Sequence, residues 1–237
     1  MAAPLDLGVL ISGRGSNLQA ILDAITGGKL NARVRLVIAN REGAFGLSRA
    51  EQAGVPTRVI PHGAYPDRAS FDGALVAALR EAKVGWVVLA GFMRLLTPVF
   101  LDAFPRRVIN VHPSLLPAFP GVDAQAQALA YGVKVTGCTV HLVDTGMDTG
   151  PIIAQSAVPV LEQDTRNTLA GRILIEEHAT LVRVLGWIAE DRLEILEDPA
   201  PSTVAAAATA TATATAMATP APTPARPRVR IRGGGPA

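Results

Sequence analysis

Cysteine is nearly absent, with Cys138 the only one among 237 residues. No intrachain disulfide can form, and no Cys-rich metal site can be built. Charged residues make up only 18% of the chain against 49% hydrophobic, a balance that gives a globular, soluble body. No apolar run reaches the length that spans a bilayer. Residues 1–11 lack a basic n-region and a cleavage site, so they read as a first strand and not as a leader. Together these absences predict a cytoplasmic protein without membrane contact. Several motifs of known mechanics are missing too. His112, His141 and Cys138 show neither H-E-x-x-H nor C-x-x-C spacing, so no metal site is predicted. No G-x-S-x-G elbow exists, and Ser114 follows a proline without an evident base partner.

Acidic residues are absent from 199–237, and that absence decides how the charge is read. The formal net charge is +2, but Arg226, Arg228, Arg230 and Arg232 all lie in this acid-free stretch. Without those four, 18 of the 22 Lys and Arg remain against 20 acids, so the body is slightly acidic and no nucleic-acid partner is predicted. Residues 199–237 are rich in Ala, Thr and Pro and have little to bury. They are expected to form a disordered tail with an arginine cluster, beside a single domain at 1–198.

What is present alternates between strand and helix. Residues 7–12 form an apolar run, followed by Gly13-Arg14-Gly15-Ser16-Asn17 and then by helical spacing from Leu18. Such a loop presents backbone N–H groups at a helix N-terminus, where an anion such as phosphate is favoured. It is not the dinucleotide fingerprint, because Leu18 stands where the third glycine belongs and the second strand, 34–39, ends in Asn40. Nor is it a Walker loop, since no Gly-Lys-Ser/Thr follows. Two readings stay open: a monophosphate site using Gly15, Ser16 and Asn17, or an ordinary turn in which Ser16 or Asn17 caps the helix. Further strands are predicted at 57–60 and 86–90, and helices at 44–53, from Asp67 or Ser70 to about 82, from Pro98, at 123–131, and from Asp164 or Thr165 to about 190. Residues 138–158 read as a hairpin with the acidic loop 143–151 at its tip. The implied fold is α/β: an open, mostly parallel, doubly wound, Rossmann-like sheet with a C-terminal antiparallel hairpin addition.

The stretch 108–117 changes from buried strand to proline-fixed loop within two residues. Asn110 and His112, one residue apart, project from the same face of the strand end. In an open α/β sheet, strand ends of this kind face the ligand crevice. Apolar residues Met93, Leu95 and Leu96 follow the fourth strand and can wall a pocket for a flat ligand, or can simply be core. An amide can hold an oxyanion, an imidazole can move a proton, and a carboxylate can keep that imidazole charged.

Residues 11–20, 90–94, 110–117, 137–141 and 147–151, in that order, closely resemble the phosphoribosylglycinamide formyltransferase family of purine biosynthesis. The resemblance runs in register from about residue 7 to 196. The element at 110–117 is shared with other folate-dependent formyl transferases and hydrolases, whereas the loop at Gly15 points to the acceptor. The resemblance implies that Gly15, Ser16 and Asn17 bind the phosphate of glycinamide ribonucleotide, and Glu177 its ribose or glycinamide end. It likewise implies that Arg68, Met93, Arg94, Leu95, Leu96, Asn110 and the loop before Asp148 hold 10-formyltetrahydrofolate, and that Asn110, His112 and Asp148 are the catalytic trio. The position of Gln125 is often His in relatives. A formyl-folate hydrolase would carry an extra amino-terminal domain, a methionyl-tRNA formyltransferase an extra carboxyl-terminal one, and neither is expected here. A non-catalytic nucleotide-binding module would leave the convergence of Asn110, His112 and Asp148 without a purpose. Small-molecule substrates and a monomer or weak homodimer are expected.

Overall fold

Seven strands form the central sheet in a computed structural model that describes residues 3–196 and 227–233. In chain order the elements are β1 (Leu5–Ile11), α1 (Ser16–Thr26), β2 (Ala32–Ala39), α2 (Phe45–Gln52), β3 (Thr57–Val59), α3 (Arg68–Glu81), β4 (Trp86–Leu89) and α4 (Pro98–Ala103). They continue as β5 (Val108–His112), α5 (Ala124–Tyr131), β6 (Val135–Leu142), β7 (Ile152–Pro159), α6 (Arg166–Ala189), β8 (Leu193–Leu196) and β9 (Arg228–Ile231). The strand order is β3-β2-β1-β4-β5-β6-β7. The first five strands pair in parallel, while β6 and β7 pair antiparallel with β5 and with each other. This is the expected doubly wound sheet with its antiparallel addition.

Period two along β1 explains why the sheet is covered on both faces. Leu7, Val9 and Ile11 pack with Leu18 and Ile21 of α1 and Leu181 and Leu185 of α6. Leu10 points the other way, into a layer with Phe71, Leu75 and Leu79 of α3 and Phe100 of α4. Each such side chain, fully buried, contributes about 1.5–3 kcal/mol of transfer free energy. Helix starts follow local chemistry. The Asp67 carboxylate accepts from Ser70 N at 2.7 Å and caps α3. Thr165 and Thr168 form a reciprocal capping box on α6. The strand order reverses between β1 and β4, so the loops after β1, β4 and β5 leave the sheet at the same edge, where ligands of such sheets bind. Ser12 N donates to Gly91 O and Met93 N to Ser12 Oγ, which ties the first two of these loops together.

At the C-terminus the structure departs from the expected disordered tail. β9 pairs antiparallel with β8, Leu193 opposite Ile231 and Leu196 opposite Arg228, as a separate two-stranded sheet. Val229 and Ile231 pack with Leu193 and Ile195 against the α1/α6 side of the core. Arg230 pairs with Glu194 and Arg232 with Asp191. Composition hid this element: Arg228-Val229-Arg230-Ile231 alternates basic and β-branched residues, the pattern of a strand with one face in water. Residues 199–226 and 234–237 of the expected tail lie outside the described residues. Among the described residues no helix is long and apolar enough to cross a membrane.

Candidate active site

Two antiparallel rungs build the reactive corner. Asn110 of β5 is paired with His141 of β6, and His112 with Thr139, so all four side chains emerge on one face of the sheet. His141 is 2% exposed; its Nδ1 donates to Leu142 O at 2.8 Å, and its Nε2 accepts from Asn110 Nδ2 at 3.2 Å. Burial pushes the His141 pKa below the usual histidine range, which matches a neutral ring donating on one side and accepting on the other. Asn110 is thereby oriented, with the second N–H of its amide left for another acceptor.

His112 is 4% exposed, and its Nε2 donates to Phe119 O at 2.9 Å. Its Nδ1 lies 3.4 Å from Asp148 Oδ2, while Asp148 Oδ1 lies 3.7 Å from His141 Nε2. Asp148 arrives from the loop between β6 and β7 and sits in the left-handed region at φ 53°. Its carboxylate also accepts from Gly121 N at 2.7 Å. Asp144 has a different part: its Oδ1 accepts from Gly146 N and Thr149 Oγ1 and so shapes that loop. Asn110, His112 and Asp148 are thus brought together, with His141 as a fourth member. The sequence signal for His141 was its pairing with Asn110 across antiparallel strands, which cannot be read until the register is known.

These residues open onto a cavity of about 560 Å³ lined by residues 91–96, 110–113, 121–123 and 146–148, with Gln125, His141, Asp144 and Arg166. Met93 and Leu95 are exposed on its wall, whereas Leu96 is buried in the α3/α4 side of the core. The wall is anchored from behind by Asp72, whose Oδ2 accepts from Thr97 N at 2.6 Å and Thr97 Oγ1 at 2.7 Å. Burial raises the Asp72 pKa while those two bonds and the charges of Arg68 and Arg94 pull it down. Arg68 stands at the start of α3 and does not line the cavity.

The glycine loop forms a second, adjacent centre. Gly15 is left-handed at φ 69°, and a Cβ there would come within 2.6 Å of Gly46 Cα, so the close approach of two backbones requires glycine. Neither Ser16 nor Asn17 caps α1; Gly15 takes that position without a side-chain bond. The Asn17 amide instead donates to Glu177 Oε2 of α6 at 2.9 Å, joining residues 160 apart. Burial raises the Glu177 pKa and the Asn17 bond lowers it. Asn17 Oδ1 is buried without a hydrogen-bond partner. Arg41 donates to Ser12 O, and Arg49 to Arg14 O at 3.0 Å and to Gln19 Oε1 at 2.9 Å, so two guanidinium groups, one from the loop after β2 and one from α2, brace the loop. Neither arginine carries a sequence motif that would have revealed it. Cys138, buried with its thiol pKa pushed up to about 11, is unreactive. Among the described residues no group of three or more His, Cys, Asp or Glu could hold a metal ion.

Strand ends that gather an amide, two imidazoles and a carboxylate suit transfer of a carbonyl-bearing group. The chain belongs to the formyl transferase family, whose model matches residues 6–185. It is 42% identical over 196 residues to the phosphoribosylglycinamide formyltransferase of Escherichia coli (strain K12), a match covering 83% of this chain and 92% of that protein. The crystal structure of glycinamide ribonucleotide transformylase 1 from Symbiobacterium toebii superposes with a TM-score of 0.81 at 53% identity, covering 82% of this chain and 92% of that one. The trifunctional purine biosynthetic protein adenosine-3 of Drosophila pseudoobscura pseudoobscura is 49% identical over 187 residues, 78% of this chain. This chain spans only 14–19% of the length of such trifunctional relatives.

Proposed function

We propose that this chain transfers the formyl group of 10-formyltetrahydrofolate to the amine of glycinamide ribonucleotide, a step of purine biosynthesis. The work falls to one domain, residues 1–198, with β9 docked on it. The observation that carries the reading is the convergence of Asn110, His112, His141 and Asp148 at the mouth of one cavity, beside a glycine loop at a helix N-terminus. Formyl transfer needs a donor for the oxyanion and a group that can carry a proton near it, and Asn110 and His112 are the groups for those two tasks. The folate lies in the cavity walled by Met93, Arg94, Leu95 and Leu96, with Arg68, at the start of α3, adding positive charge. Gly15, Ser16 and Asn17 hold the acceptor's phosphate, where the α1 N-terminus favours an anion, and Glu177 holds its ribose or glycinamide end.

The amine attacks the formyl carbon, and the carbonyl oxygen becomes the oxyanion of a tetrahedral intermediate. The free N–H of Asn110 donates to that oxygen, and the protonated ring of His112, facing Asp148, offsets its charge. A proton passes from the attacking nitrogen toward the folate nitrogen, the carbon–nitrogen bond to the folate breaks, and tetrahydrofolate leaves. No covalent enzyme intermediate is required. The supporting experiment measures tetrahydrofolate release by the purified chain with each substrate alone and with both. Release only with both is expected. Release from formyl-folate alone would make the chain a hydrolase, and binding without release would make it a nucleotide-binding module.

A further inference from the structure

The His112 rung does not end at Thr139. Thr139 is itself paired with Gln155 of β7, so His112, Thr139 and Gln155 form one row across three strands. Thr139 is fully buried, and its hydroxyl donates to Ser114 O at 2.6 Å while accepting from Leu116 N at 3.0 Å and from Gln155 Nε2 at 3.0 Å. Gln155 Nε2 also donates to Leu116 O at 2.9 Å. The loop after β5 is therefore fastened at Ser114 and Leu116 to the antiparallel addition. Farther along, Ser114 Oγ donates to Ala118 O at 2.5 Å and reaches Phe119 O at 3.3 Å, and Phe119 O is the acceptor facing His112 Nε2. Two residues on, Gly121 N donates to Asp148. One loop thus supplies a partner to each member of the His112–Asp148 pair, and the amide that fastens the loop belongs to a strand that lines no part of the cavity.

We infer that Gln155, acting through Thr139 and the 114–119 loop, is a positioning residue that sets the ring orientation of His112. Without its two donated bonds, the Leu116 carbonyl and one acceptor site on the Thr139 hydroxyl lose their partner. The loop then relaxes, and Phe119 O shifts against the imidazole. Reacting groups need placement within about 0.5 Å of their productive geometry, so a small displacement carries a large kinetic effect.

The inference rests on the formyl-transfer reading for its kinetic arm and stands free of it for its spectroscopic arm. The full chain, labelled with ¹⁵N-histidine, is compared with Gln155→Met, Thr139→Val and Thr139→Ser. Gln155→Met keeps the length and loses both donors. It should lower kcat by about 10- to 10²-fold and leave both KM values within about two-fold. The His112 Nε2 resonance should move while the two His141 resonances stay in place. Thr139→Ser should keep near-native kcat, and Thr139→Val should behave like Gln155→Met. An unchanged kcat and an unmoved His112 resonance in Gln155→Met would overturn the inference. So would a joint loss in kcat and both KM values with all histidine resonances disturbed, which would mark general structural damage. If Gln155→Met does not fold, Gln155→Glu keeps the shape, loses the donors and is read by the same criteria. If the wild-type chain releases no tetrahydrofolate, the formyl-transfer reading fails, and the resonance comparison still decides the positioning.

Discussion

Asp148, left-handed and turned inward, sets one carboxylate against two imidazoles. Asp148→Asn retains the shape and an acceptor for Gly121 N but removes the charge. It should lower kcat by on the order of 10²-fold or more with little change in affinity for either substrate, as steady-state kinetics and binding titration would show. Retained kcat would leave Asp148 only the task of shaping its loop. His141 makes a different prediction. Burial depresses its pKa, and that of His178 likewise. The unfolded chain takes up these protons near pH 6.5, the folded chain only at lower pH, so stability is full above about pH 6.5 and is lost as pH falls through the folded values. The melting temperature should decline from about pH 7 to about pH 5, and His141→Gln should flatten that decline; an unaltered slope in the variant would sink the assignment. At this scale the sequence revealed Asn110 and His112, because period two along one strand is local. It could associate Asp148 with them only through family resemblance, and His141 not at all, because antiparallel register is a non-local fact.

Among the elements, α1 shows how a helix start can be organised for something other than its own capping. Its first turn gives the Asn17 amide to Glu177 of α6. Asn17→Ala should therefore leave a buried carboxyl group without its donor and cost about 1–3 kcal/mol, read from urea denaturation. The same change should raise the acceptor KM far more than the folate KM. Equal effects on both substrates would separate the loop from the acceptor. Caps at Asp67 and Thr165, each one of two candidates in the sequence, were legible to that extent because a cap and its target lie within three residues of each other. The tie between Asn17 and Glu177 was not, since sequence patterning carries no signal for a pair 160 residues apart. The same limit hid Arg41 and Arg49, whose bonds to the glycine loop depend on how the loop after β2 and α2 lie against it.

At the scale of the whole molecule, the mostly parallel, doubly wound class of the sheet followed from alternating strand and helix patterns, while the C-terminal sheet did not, because an Ala, Thr and Pro composition concealed four alternating residues. Since Val229 and Ile231 reach the core, the double substitution Val229→Asp with Ile231→Asp in the full chain should lower the melting temperature by about 3–6 °C. Both kcat and KM should be unchanged, because β9 lines no part of the cavity. An unshifted melting temperature would mean that β9 contributes nothing to the fold. The register of this strand pair carries one more implication. Leu196 and Arg228 are direct partners, so the ends to be joined lie side by side, where a four-residue turn would suffice. The chain instead runs through the 31 residues 197–227 to get there. Loop-closure entropy rises by about 0.6 kcal/mol for each doubling of length, so by length alone this route costs about 2 kcal/mol more than a turn of four. Replacing residues 197–227 with a short hairpin turn should return that amount as added stability in urea denaturation, while an unchanged stability would mean that the length of this connection carries no such cost.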